Sequence, residues 1–109
     1  MKQKTAEMLI RIISVPEDVL RLKGRASQFI LIHLANNDGE VPLKNIYSLP
    51  NWTNKTLRQH ILHLESDGMI ELVNDPIDGR SKIASLTNKS RDKLEQYEEK
   101  VFEIIRQYA

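Results

Sequence analysis

The sequence predicts a mainly α-helical fold with a small β-hairpin. Apolar residues recur at spacings of three and four over most of the chain, and prolines and glycines divide it into short segments. Two short apolar runs, MIELV and SKIASL, flank the turn-forming segment PIDG. With 109 residues, the chain has the length of one domain. A core of this size leaves little surplus stability, which is compatible with a folding partner.

The first third of the chain predicts three helices. A helix is expected over Thr5–Ile13, with Pro16 closing its apolar pattern, and a short helix is expected to run from Pro16 to Gly24. The segment ASQFILIHLANNDG then indicates a buried helix stopped by its last four residues, Asn36, Asn37, Asp38 and Gly39. Its expected core residues are Phe29, Ile30, Ile32 and Leu34.

A helix-turn-helix is predicted next. Pro42 opens a short helix with Leu43 and Ile46 facing inward, and Pro50 ends it. Trp52, the only tryptophan, is expected to fill the turn as an apolar plug rather than to bind a ligand.

The helix TNKTLRQHILHLESDG has the clearest pattern. Thr53 is a good N-cap, and Gly68 supplies a left-handed stop. One face is expected to be buried through Leu57, Ile61 and Leu64. At about 100° per residue, Lys55, Gln59 and Leu62 point away from that face, with Arg58 and His63 on its flanks.

The hairpin follows, and a last helix begins after Thr87, which can cap it. In the hairpin, Ile83 and Leu86 are expected to be partly buried. Two helices joined by a short turn and followed by a two-stranded hairpin form a winged helix-turn-helix. The predicted organisation is a single domain with a terminal helix over residues 1–15, a winged helix-turn-helix over 25–87 and a second terminal helix over 88–109.

Local charge is strong although the net charge is only +1. Residues 41–64 carry three basic and no acidic side chains, which gives +3, and residues 80–91 carry four basic side chains, which gives +4. Residues 65–79 between them hold five acids, which gives −5. Such blocks predict either an electrostatic binding surface or a merely solvated face.

The segment LESDGMIELVNDPIDGRSKIASLT resembles the MarR (multiple antibiotic resistance regulator) family. The family pattern runs from Leu-Glu through Gly and two apolar residues to Asp-x-Arg and then Leu-Thr. This sequence has the same residues in the same order and spacing: Leu64, Glu65, Gly68, Met69, Ile70, Asp78, Arg80, Leu86 and Thr87. The resemblance covers residues 42–90 and is only architectural outside them. Gly79 stands where the family often has a basic residue, so a phosphate contact is weakened.

A basic, polar helix face fits the major groove of DNA, and a long arginine at the wing tip fits the adjacent minor groove. Arg58 and Gln59 are expected to read bases, whereas residues at the helix N-terminus contact phosphate. The resemblance implies that Asp78 holds the Arg80 guanidinium; an ordinary turn ion pair is the alternative. The predicted DNA-binding residues are Thr53, Asn54, Lys55, Thr56, Arg58, Gln59, His63, Asp78, Arg80 and Lys82.

Several classes of site are excluded or disfavoured. The chain has no cysteine, so disulfides, thiolate chemistry and cysteine-ligated zinc are ruled out. His60 and His63 lie three apart on one helix, but no pattern completes a metal site, and no catalytic constellation stands out. No enzyme activity, metal or cofactor is therefore expected. The absence of a long apolar run or a cleavage site predicts a cytoplasmic chain without a membrane segment.

Both terminal helices carry apolar stripes that one small domain would struggle to cover. Their association in a homodimer is predicted, with packing inside one chain as the alternative. MarR-like relatives use first and last helices in this way. The predicted dimerisation residues are Leu9, Ile12, Ile13, Leu94, Tyr97, Val101, Ile104, Ile105 and Tyr108, with Phe102 broadening the stripe.

The resulting hypothesis is a dimeric DNA-binding transcription regulator, a repressor that binds a pseudo-palindromic operator. The resemblance also implies a small-molecule inducer, although no residue marks its site. Two alternatives remain: a DNA-binding accessory of replication or plasmid partition, and a winged-helix module that binds another protein.

Overall fold

The computed structural model describes residues 1–22 and 24–109. The elements in chain order are α1 (Gln3–Val15), one π-helical turn (Pro16–Leu20), α2 (Arg25–Ala35), β1 (Glu40–Pro42), α3 (Leu43–Ile46), α4 (Asn54–Ser66), β2 (Ile70–Asn74), β3 (Lys82–Leu86) and α5 (Asn88–Tyr108). This mainly helical architecture with a small antiparallel sheet confirms the predicted fold class. No helix within the described residues is both long and apolar enough to cross a membrane.

The sheet has three strands in the order β1-β3-β2, all antiparallel. Ala84 lies at its centre, paired with Leu72 on one side and Val41 on the other, and it is fully buried. The hairpin of β2 and β3 confirms the prediction, whereas β1 was missed. A strand of three residues that ends in proline is too short to show the alternation of apolar and polar residues by which strands are recognised. The predicted helix at Pro42 correspondingly begins one residue later, at Leu43.

The core lies between α2, α3, α4 and the sheet. The predicted stripe of α4 is buried, and it packs with apolar residues of every neighbouring element. Trp52 is half-buried against this core, with its ring centroid 5.2 Å from that of Phe29, so the prediction of an apolar plug is confirmed. The main buried cluster includes Ile30, Leu31, Leu34, Val41, Ile46, Leu57, Ile61, Leu64, Ile70 and Leu86.

The prediction for α2 was partly wrong. Ile30 and Leu34 are buried, but Phe29 is 43% exposed and Ile32 is 42% exposed. The helix is apolar on nearly every side, so its sequence does not show which face points inward. The buried face in fact runs through Ala26, Ser27, Ile30, Leu31 and Leu34.

The short helix predicted from Pro16 to Gly24 is also wrong in extent. The chain forms only one π-helical turn, which ends at Leu20, and Arg21 adopts a left-handed conformation with φ 54°. That backbone geometry cannot continue a right-handed helix. Lys23, which belongs to the predicted helix, lies outside the described residues.

Two threonine caps fix the ends of the elements around the hairpin. The Thr53 hydroxyl accepts a hydrogen bond from the Thr56 amide, and Thr87 forms a reciprocal capping box with Ser90. Gly68 adopts φ 71°, which confirms the predicted left-handed stop of α4. The Thr87 hydroxyl also donates to the Gly68 carbonyl at 2.6 Å, so the start of α5 is tied to the end of α4.

The termini pack together at one end of the molecule. Arg11 of α1 donates to Gln107 of α5 at 2.6 Å, and its guanidinium lies 5.7 Å from the centre of the Tyr108 ring. Val15 and Ile104 are buried here, outside the main core cluster. The radius of gyration is 15.5 Å, against about 13 Å for a compact chain of this length. The terminal helices therefore extend the molecule to 51 × 28 × 21 Å.

Candidate nucleic-acid interface

One side of α4 faces solvent along its whole length. Asn54, Lys55, Arg58 and Gln59 are exposed, and they lie away from the buried stripe. The Thr53 hydroxyl is occupied in capping, because it accepts from the Thr56 amide at 3.2 Å and lies 3.1 Å from the Thr56 hydroxyl. The first turn carries no acidic residue, so the positive end of the helix dipole is not neutralised by its own side chains.

Arg58 is held by an aromatic neighbour. Its guanidinium carbon lies 5.2 Å from the centre of the Tyr47 ring, just beyond α3. A cation over an aromatic face is attracted by the ring quadrupole, which restricts the side chain before any ligand arrives. Sequence reasoning missed Tyr47, because the contact depends on how the two helices of the helix-turn-helix approach each other.

The wing tip between β2 and β3 is built by two aspartates. One oxygen of Asp75 accepts from the amides of Ile77 and Asp78, at 2.9 and 3.4 Å. One oxygen of Asp78 accepts from the Arg80 amide at 3.1 Å, and the other accepts from the Ser81 hydroxyl at 3.1 Å. Aspartates commonly stabilise turns in this way. The loop therefore has a defined conformation although it is exposed.

The expected role of Asp78 was wrong in its detail. It does not pair with the Arg80 guanidinium: among residues 1–22 and 24–109 the only ion pair joins Lys100 and Glu103. The Asp78 carboxylate is instead used by the loop backbone and Ser81. Arg80 is exposed with no acidic partner in the described chain, so its charge is available to a ligand.

The ten predicted DNA-binding residues fall into two groups on two neighbouring elements. Seven lie at or along α4, and three lie on the wing; all are exposed except Thr56, which is half-buried. Helix geometry places Lys55, Arg58 and Gln59 on one side. No hydrogen bond or ion pair within the described residues links the α4 group to the wing group, so each is positioned by its own element.

His60 lies behind this face and contacts α2. Its Nδ1 is 2.6 Å from the hydroxyl of Ser27, a buried residue. Burial, and to a smaller extent the neighbouring imidazole of His63, lowers the pKa of His60 below its ordinary value of 6.5. The His60 and His63 rings are 6.3 Å apart, and no group of three metal-binding side chains occurs in the part of the chain that the structure describes.

The lowered pKa of His60 predicts that the folded protein loses stability in acid. Because the pKa of His60 is lower in the folded chain, the unfolded state binds more protons as the pH falls below about 6.5. The free energy of unfolding should decrease from about pH 7 toward the lowered pKa and level off below it. Urea denaturation of the wild type and of His60→Gln across this range measures the effect, and the variant should lose part of the slope.

His63→Gln is the matched control for the acid effect. His63→Gln should keep most of the dependence of the unfolding free energy on pH. Burial is the larger cause of the lowered His60 pKa, and the His63 charge is the smaller one. Identical pH dependence in the wild type and His60→Gln would contradict the role assigned to His60.

The predicted dimerisation residues differ in accessibility. Leu9, Ile13 and Ile105 are exposed. Ile104 was wrongly predicted as a dimerisation residue, because it is buried within its own chain and is not accessible to a partner. The others are half-buried: Ile12, Leu94, Tyr97, Val101 and Tyr108. Ile10 was missed, although it is 66% exposed and lies beside Ile13, which is 73% exposed. Ile10 was not predicted because it lies one residue outside the expected apolar stripe of α1.

An open cleft of about 660 Å³ separates α1 from the helix-turn-helix. Its walls are mostly apolar, and Arg25 provides the charged group at its edge. The partly exposed side chains of Phe29 and Ile32 line this cleft, as do Ile12, Ile13, Trp52 and Tyr97.

The same architecture occurs in solved structures of other proteins. No protein-family model and no curated protein sequence matches the chain. Solved structures do: the YusO protein from Bacillus subtilis is 17% identical with a TM-score of 0.76, over 95% of this chain and 72% of that one. A transcriptional regulator from Thermotoga maritima is 22% identical with a TM-score of 0.77, over 94% and 73% of the two chains.

A third structure includes DNA. It is a MarR-family transcriptional regulator from Streptomyces coelicolor in complex with DNA, 16% identical with a TM-score of 0.70, and the match covers 98% of this chain and 70% of that one. Each of the three matches covers at least 94% of this chain. The chain therefore has the MarR-like winged-helix fold.

Proposed function

We propose that this protein is a double-stranded DNA-binding transcription regulator of MarR-like type that acts as a homodimer and performs no reaction. The observation that carries the proposal is the solvent face of α4. It presents basic and amide side chains, free of acids from the N-cap through His63, on a helix fixed by the core behind it. The fold shared with a regulator in complex with DNA supports the same function.

The side chains on α4 suit the major groove. An arginine can donate two hydrogen bonds to guanine, and a glutamine can bond both the N6 and N7 positions of adenine. Arg58 and Gln59 take these roles in the proposal. Lys55 and the amides at the start of α4 bind phosphates, since phosphate contacts set the position of the protein on the duplex.

The wing suits the minor groove. Two aspartates brace its backbone, so Arg80 extends from a defined loop rather than from a disordered one. A narrow minor groove has a strong negative potential that attracts arginine. Lys82 at the start of β3 adds a second positive charge for the flanking phosphates.

Dimerisation is supported by apolar side chains of α1 that its own chain leaves exposed. Arg11 and Val15, four residues apart, lie on the side that packs against the chain's own α5. Leu9 and Ile13, also four residues apart, lie on a different side and remain exposed. Ile10 lines the groove between α1 and α5 and is exposed as well. Phe102 and Ile105 add exposed apolar surface on α5. A second copy would cover these residues and would present two recognition helices to two half-sites.

Repression is the regulatory mode that we propose, through occlusion of a promoter by the bound dimer. A small-molecule inducer would fit the cleft between α1 and the helix-turn-helix, where apolar walls and Arg25 favour an apolar anion. Because this cleft lies between the dimerisation helices and the DNA-binding elements, an occupant could alter their relative position.

Selection of genomic fragments by the purified protein tests the proposal. The expected result is enrichment of a pseudo-palindrome with half-sites about one helical turn apart. Affinity for the selected site should fall steeply with salt, by about a thousandfold between 50 and 200 mM if the dimer neutralises about six phosphates. An array of direct repeats would favour a replication or partition factor, and absence of duplex binding at about 50 mM salt would favour a protein-interaction module.

A further inference from the structure

Leu62 is an apolar residue in the middle of the basic face of α4. It is 61% exposed, although the other exposed residues between Thr53 and His63 are polar or basic. Gln59 precedes it by three residues and Arg58 by four, so all three are neighbours on the helix surface. The Arg58 guanidinium lies over the Tyr47 ring, and Leu62 is itself accessible to a ligand.

A single exposed leucine is common on protein surfaces and by itself indicates nothing. The position of Leu62 is what gives it meaning, since it lies among hydrogen-bond donors suited to base edges. A protein partner that bound here would have to accommodate the positive charge carried by residues 41–64, which include no acid. DNA satisfies both features, because its major groove combines negative surroundings with one apolar group.

That apolar group is the 5-methyl of thymine, which side chains recognise through apolar contact. We propose that Leu62 contacts a thymine methyl in the major groove and so determines part of the sequence specificity; this rests on the proposed DNA-binding function. Leu62 lies four residues beyond Arg58, about 6 Å along the helix axis at about 1.5 Å per residue. Base pairs are spaced by about 3.4 Å, so a thymine within about two base pairs of the base read by Arg58 is in reach of Leu62.

Replacement of thymine by uracil tests this contact, because it removes only the methyl group. Each thymine of the selected site is replaced in turn, and the affinities of the wild type, Leu62→Ala and Ile77→Ala are measured on every duplex. At one symmetric position, uracil should weaken wild-type binding about fourfold, the factor equivalent to about 0.8 kcal/mol for one buried methyl-sized group. Leu62→Ala should bind the thymine and uracil duplexes equally at that position.

Ile77→Ala is the matched control, since Ile77 is 97% exposed at the wing tip and its truncation also removes exposed apolar surface. It should retain the uracil effect of the wild type. Circular dichroism should show unchanged helix content in Leu62→Ala, because alanine is a strong helix former and the position is exposed.

The possible failures can be told apart. If the wild type binds its selected site and Leu62→Ala shows the same uracil effect at every thymine, the Leu62 assignment is overturned and the proposed function stands. If no thymine is sensitive to uracil in the wild type, the assignment is also overturned. If the wild type binds no duplex at all, the proposed function itself fails.

Discussion

Replacement of Ile13 by aspartate is expected to convert the protein to a monomer and to lower its affinity for the operator about a hundredfold or more. Ile13 is 73% exposed in the single chain, so the substitution should not disturb the fold of one subunit. In a dimer, however, it would place a charge inside an apolar interface, where an unpaired carboxylate is strongly unfavourable.

The loss of affinity follows from the geometry of binding to two half-sites. A dimer that engages one half-site holds its second recognition helix near the other, and such linkage raises affinity by about a hundred- to ten-thousandfold over a single module. A monomer retains only its own contacts. The effect therefore exceeds that of removing one side chain from α4.

Sedimentation equilibrium and titration of the operator measure the two consequences for Ile13→Asp. Gln3→Asp is the control, because it adds the same charge to α1 at an exposed position in the first turn, where an acid is compatible with the helix dipole. The control should remain dimeric. If Ile13→Asp stays dimeric and binds as the wild type does, the terminal helices do not form the interface.

Arg58→Ala should produce the second large effect. We expect operator affinity to fall by about 1 to 3 kcal/mol, the range for a bidentate contact between a side chain and a base. This corresponds to about 5- to 150-fold in Kd. The substitution removes an exposed side chain that stacks on Tyr47 but does not contribute to the core, so stability should change little.

Arg80→Ala is the informative comparison for Arg58→Ala. Arginine in the minor groove responds mainly to phosphate charge and groove width, so its loss should weaken binding more evenly across sequences. Arg58→Ala should instead reduce binding to the selected site more than binding to random duplex. If Arg58→Ala binds both duplexes with wild-type affinity, α4 is not the recognition helix.

Sequence was most informative where polar and apolar residues separate cleanly. Helix α4 has one apolar stripe, a threonine cap and a terminal glycine, and each of these three features lies where the sequence predicted it. Helix α2 carries apolar residues on almost all sides, so no polar face indicates which side is buried. Phe29 and Ile32 were for this reason wrongly predicted to be core residues. Periodicity gives the direction of a face only when the opposite face is polar.

The tertiary contacts of the candidate site could not be predicted from sequence patterns. The stacking of Arg58 on Tyr47 and the bond between His60 and Ser27 join residues from different elements. The Asp78 carboxylate could have met either the Arg80 guanidinium or the loop backbone, and both contacts are compatible with the same residues in the same order. Only the path of the loop distinguishes these alternatives.

In the proposed complex, α4 and the wing contact one DNA half-site in adjacent grooves. The most direct test of this arrangement attaches a photoactivated crosslinker to single cysteines introduced at positions 59 and 80 of this cysteine-free chain and maps the crosslinked bases on the selected site. We expect major-groove crosslinks from position 59 and minor-groove crosslinks from position 80 a few base pairs away, repeated symmetrically in both half-sites. Crosslinks from position 59 alone, or from neither position while the protein remains bound, would contradict this arrangement.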